Sequence, residues 1–180
     1  MKFRKALVAT SAAVALLIAP VAVAASPAQA ATTKATGTTL ISFKKEYAGI
    51  FKLVQPIKPA KFIDSRLTFP VTGTQKGDRD VVLHSGGINI GGAKFVDPIV
   101  TVDVAKKTAK ITLGFEDGRL LVFTAKHFKV KADGVDGQVW QGDLHLTRNK
   151  TVVKTLNQLL GVNSLTPDLG LGQIRVTIKS

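Results

Sequence analysis

Residues 100–115, VTVDVAKKTAKITLGF, decide how this chain is read. Val100, Val102 and Val104 alternate with Thr101 and Asp103, and Ile111, Leu113 and Phe115 alternate with Lys110, Thr112 and Gly114. An apolar residue at every second position lines one face of a strand, so the pattern predicts strands with a dry face and a wet face. Lys106-Lys107-Thr108 between them predicts a tight reversal. The same period extends outward over residues 66–147. Phe128 and Val130 alternate with His127, Lys129 and Lys131, and Leu144 and Leu146 flank His145. Glu116-Asp117-Gly118 and Asp133-Gly134 supply further turns, because glycine accepts the positive φ that a short hairpin demands. A last strand is expected over 173–178, with Ile174, Val176 and Ile178 inward and Arg175 and Lys179 outward.

Two stretches break this rhythm. FKKEYAGIFKLV, residues 43–54, sets Phe43, Tyr47, Ile50, Phe51 and Val54 at helical spacing, weakened by Gly49 and ended by Pro56 and Pro59. NKTVVKTLNQLLG, residues 149–161, predicts a second helix with Asn149 as cap, Val152, Leu156, Leu159 and Leu160 as its stripe, and Gly161 at the stop. Eight to ten strands with two short helices predict an all-β domain. It is either a sandwich or a flattened barrel, and the antiparallel β-sandwich is the expectation taken forward.

The chain has 180 residues, and its first thirty read as a signal peptide. Lys2, Arg4 and Lys5 precede ALVATSAAVALLIAPVAVAA, and Ala28-Gln29-Ala30 is a small-x-small cleavage pattern. The expectation is an exported protein cut after Ala30, with a polar leader at 31–39, disordered at its start, and one domain at 40–180. No transmembrane segment is expected after cleavage. Cysteine is absent, so no disulfide staples the fold and no lipid is attached at the cleavage site. Without the signal's three cations there remain 22 Lys+Arg against 12 Asp+Glu, a charge of +10. That surplus favours anionic partners such as envelope polymers. Nucleic acid is disfavoured, because the cations are dispersed and few aromatics are interleaved for stacking.

The residues that could do chemistry are sparse. Ser42, Ser65, Ser85 and Ser164 stand in no nucleophile elbow, and His84 and Ser85, being adjacent, point to opposite faces of a strand. A non-catalytic binding role is therefore expected. The three histidines lie far apart, so no metal site is expected from protein side chains alone. Asp133-Gly-Val-Asp136-Gly resembles part of a calcium loop but lacks the remaining ligands, and two aspartates bending a turn explain it. In LHSGGINIGG, residues 83–92, the Gly-Gly pairs bracket a return between strands. A phosphate loop would need a helix to follow, and here AKFVDPIVTVDV continues as strand.

Four segments carry a resemblance: LTFPVTGT (67–74), DVVLHSGGINI (80–90), FVDPIVTVD (95–103) and TLNQLLGVNSLTPDLGLGQIRVTI (155–178). Together they are similar to exported proteins with a haem-transport-associated (Htaa) domain. The resemblance implies a β-sandwich with short helices, secreted or displayed at the cell surface, that captures ferric haem. It further implies a tyrosine as iron ligand in an S-F-x-x-Y segment, supported by a histidine. Here the segment is Ser42-Phe43-Lys44-Lys45-Glu46-Tyr47, one residue longer, and the tryptophan usual before it is missing, the only one being Trp140. On this resemblance Tyr47 is the haem ligand and His84, in the H-x-G place, is the histidine that supports it from behind. Phe43 and Phe51 are then apolar walls, and Lys44 and Lys45 meet the propionates. The partners would be haem or haem-carrying proteins. The residues alone leave another reading open: Tyr47 is core on the stripe with Phe43, Ile50 and Phe51, and His84 is a turn residue. The chain would then bind no cofactor and use its basic surface as an envelope-associated interaction protein on anionic polymers.

Overall fold

The structure, a computed structural model, describes residues 31–77, 79–133 and 137–179. The expected signal peptide and residues 134–136 of the calcium-like turn lie outside the described residues. In chain order come β1 (Thr32–Lys34), β2 (Thr36–Phe43), a 3-10 turn (Lys45–Tyr47), α1 (Ala48–Phe51), β3 (Gln55–Ile57), β4 (Lys61–Ile63) and β5 (Arg66–Gln75). There follow β6 (Asp80–His84), β7 (Gly87–Ile90), β8 (Ala93–Asp103), β9 (Thr108–Phe115), β10 (Gly118–Asp133), β11 (Gly137–Leu146), α2 (Lys150–Leu160) and β12 (Gly170–Lys179).

Eight of these strands close a ring, β2-β5-β6-β8-β9-β10-β11-β12 and back to β2, with every pairing antiparallel. The domain is a barrel, which corrects the expected sandwich. A period-two stripe is common to both architectures. The deciding contacts are β12 on β2, where Thr36 meets Lys179, and β6 between β5 and β8. Both join positions whose partners the local pattern does not name. β1 and β4 add to β5, while β7 adds to β8 and carries β3.

Alternate residues fill the interior as the stripe requires: Ile41, Leu67, Val82, Val100, Val102, Ile111, Leu113, Ile174 and Val176 are all buried. Two expected inward residues are exposed. Val104 lies beyond the end of β8, and Val130 follows the bulge in β10 at which His127 takes φ 51°. The expected polar leader is also ordered. Its threonines, β-branched and suited to a pleated surface, form β1 and the first half of β2, with Thr39 buried.

The expected helix over 43–54 shrinks to a 3-10 turn and four residues of α1. Phe43 belongs to β2 instead, held opposite Gly172 of β12, so the helical stripe begins one residue inside a strand. α2 matches its signals. The Asn149 side chain accepts from the Thr151 and Val152 amides, and Gly161 closes the helix with φ 65°. Val152, Val153, Leu156 and Leu160 are buried beneath it. Asn149→Ala should lower stability by about 1 kcal/mol, read as a shifted urea midpoint with unchanged slope. An unshifted midpoint would mean that packing alone holds α2.

Candidate functional site

His84 ends β6 with its side chain turned into the barrel, 5% exposed. The Pro98 carbonyl, 2.9 Å from Nδ1, can only accept, so Nδ1 carries the proton and donates it there. Nε2 is then free to accept the Thr39 hydroxyl at 2.6 Å. Phe69 stands edge-on at 6.5 Å. Burial lowers the imidazole's pKa to about 4, against a smaller opposing effect of the Pro98 carbonyl. His84 is thus a neutral internal link between β6, β8 and β2. It does not cap the glycine turn.

The glycines after it serve close approach. A Cβ on Gly87 would stand 2.1 Å from the Phe95 carbonyl oxygen, and one on Gly86, at φ 86°, 2.7 Å from the Ala60 nitrogen. Gly91 and Gly92, both at positive φ, join β7 to β8 in a two-residue hairpin, with Ile90 opposite Ala93. The return therefore lies at the second glycine pair alone: Ile88-Asn89-Ile90, expected inside it, is part of β7, and the first pair carries the chain from β6 into β7 along the same side of β8.

Tyr47 ends the 3-10 turn, half-buried and packed against the core. Partial burial first, and the adjacent Glu46 second, raise its phenol pKa above the ordinary value. Phe43 and Phe51 are buried and stacked on each other at 3.8 Å, and Phe62 lies tilted 6.3 Å from Phe43. Both stacked rings line a closed apolar cavity of about 20 Å3 that reaches Leu156 and Leu160 of α2. Lys44 and Lys45 are exposed, with Lys44 Nζ 3.8 Å from the Glu46 carboxylate. The turn after β2 therefore brings Phe43, Lys44, Lys45, Tyr47 and Phe51 to one short segment. It does not tie His84 to Tyr47, since both imidazole nitrogens are engaged by Thr39 and Pro98.

The other histidines differ from one another. His127 is exposed and 2.9 Å from the Asp143 carboxylate. His145, expected to face solvent, is half-buried beneath Asp168, whose backbone carbonyl accepts from its Nδ1 at 2.9 Å. Asp168, at φ 64°, also pairs with Lys126 at 2.8 Å and Arg148 at 3.2 Å. These hydrogen bonds and charges hold its carboxyl below the usual carboxylate range, Lys126 contributing most. The sequence reading missed this knot. Its one local signal was Pro167-Asp168 followed by Gly170, which is turn chemistry. Among the described residues no three His, Cys, Asp or Glu side chains cluster as metal ligands, and no helix is long and apolar enough to cross a membrane.

The architecture is that of a small antiparallel barrel, with α1 and α2 packed over one apolar cavity. No family model matches the chain, and no curated protein does. Among solved structures it is similar to the C-terminal domain of HtaA from Corynebacterium glutamicum, with TM-score 0.60 and 10% identity, covering 83% of this chain and 99% of that one. The N-terminal domain of the same protein matches with TM-score 0.58 and 12% identity, over 82% of this chain and 98% of that one. The chain has the HtaA-domain fold. At such identities the likeness speaks for fold alone.

Proposed function

We propose that this chain is a secreted, non-catalytic binding module of the HtaA type that captures ferric haem at the turn carrying Tyr47. The observation behind the reading is the placement of the only tyrosine on this fold. It is half-exposed at the end of the 3-10 turn, with two exposed lysines just before it. A phenolate is a hard donor suited to Fe(III), and Lys44 and Lys45 are long enough to meet carboxylates at the rim. Burial and Glu46 keep the phenol protonated in the free protein, so ligation releases a proton and capture strengthens as pH rises.

The fit differs from the resemblance in two respects. Phe43 and Phe51 offer no free ring face, because each is stacked on the other inside the core. A cavity of about 20 Å3 excludes a porphyrin, given that ligand pockets run to roughly 300–1,000 Å3. Apolar contact for an external ring would come from half-buried Ile50 and exposed Leu53 on the same turn. His84 contributes by holding β2, β6 and β8 together.

A ferric haem titration followed by absorbance tests this. A saturable one-to-one Soret change is expected, with affinity falling more than about 100-fold in Tyr47→Phe and little in His84→Gln. Absence of saturation, or indifference to Tyr47→Phe, rejects haem capture at this turn.

A further inference from the structure

Between Leu144 and Ser180 the sequence contains five Lys or Arg and a single acid, Asp168. Asp168 is already held by Lys126 and Arg148. Lys150 and Lys154, one helical turn apart on α2, are exposed and make no ion pair among the described residues. Both line an open groove of about 410 Å3 between α2 and residues 163–167. The groove shares no residue with the Tyr47 turn.

Its lining is chemically mixed. Val153 and Leu165 form a buried floor, and Pro167 presents an exposed apolar edge. Gln158 and Asn163 add exposed amides, each able to donate and accept. The far wall is fixed in advance. Asn157 donates from Nδ2 to the Leu165 carbonyl at 2.8 Å and accepts the Leu165 amide on Oδ1 at 3.1 Å. A wall ordered before binding spares the ligand that entropic cost. Two cations at the lip call for an anion, amides for hydroxyls, and an exposed proline edge for the C–H face of a ring.

We propose that this groove binds a carboxylated polysaccharide, with uronate carboxylates on Lys150 and Lys154, ring hydroxyls on Gln158 and Asn163, and a sugar face on Pro167. It gives the anionic partner expected from composition a defined seat. A polyanion without sugar rings, such as polyphosphate, would use only the two lysines.

The test is calorimetric binding of an oligogalacturonate to the protein, with polyphosphate of matched charge alongside. Saturable oligogalacturonate binding is expected, weakened at least tenfold in the double variant Lys150→Gln/Lys154→Gln. Gln158→Ala and Asn163→Ala should weaken it about fivefold each without altering thermal stability. Binding should also partly survive about 0.5 M salt, where exposed ion pairs alone are screened. No oligogalacturonate binding, binding unmoved by these variants, or equal binding of polyphosphate that salt abolishes would each overturn the proposal.

Discussion

Acidification from pH 7 to pH 4 is expected to lower the unfolding free energy by roughly 3 kcal/mol through His84 alone. The unfolded imidazole takes up its proton near pH 6.5, whereas in the barrel it does so only at about 4. Between those values the unfolded state binds more protons than the folded one, so stability falls as pH falls, and the loss is complete below both. Protonation would also force Nε2 to donate to the Thr39 hydroxyl, displacing that hydroxyl's own proton from its acceptor. Asp168 acts in a different window. Its lowered pKa contributes stability above the ordinary carboxylate value that is lost on further acidification. Urea titrations at a series of pH values separate the two. His84→Gln, which can still donate to Pro98 and accept from Thr39, should flatten the curve between pH 6.5 and 4 while leaving the acidic limb. Parallel curves for the two proteins would remove His84 as the cause.

Gly87→Ala is the second large effect, a loss of about 3 kcal/mol. The new methyl would meet the Phe95 carbonyl oxygen at 2.1 Å and the Val96 Cα at 2.9 Å, and both are backbone atoms that cannot swing aside. β7 would be pushed from β8, and β3, which among the described residues pairs only with β7, would go with it. Hydrogen exchange at β3 and β7 should accelerate before that of the barrel strands. Gly118→Ala is the control, since nothing lies within 4 Å of its added Cβ, and it should stay within about 0.5 kcal/mol of the parent. Equal losses in the two variants would refute the steric account.

The strands were legible because alternation is a local property. The same residues that alternate around Lys107 and Glu116 enclose turns at which those two take φ 52° and 49°. α2 was legible because its cap and stop are single residues at its ends. Closure was not, because Thr36 and Lys179 find each other only when the ring is complete. His84 carried a signal that the flanking glycines obscured. It shares parity with Val82 in DVVLH, so a strand that buries the valine also buries the imidazole. Tyr47 and its lysines were singled out only through the family resemblance, and they share one turn that has no link to His84. The groove on α2 could not be read at all, because one wall is a loop whose path depends on Asn157 meeting Leu165 eight residues later.

Ring closure between β2 and β12 also governs what an incomplete copy would do. With all eight staves present, neither β2 nor β11 offers a free edge. A copy trimmed of residues 170–179 by a protease, or halted in synthesis before them, would expose both at once. Each would then display a row of unmet amides and carbonyls, a template on which another damaged copy can dock. The result of such damage would be self-association between fragments, and quality control at the site of folding would have to act on assemblies as well as on single chains.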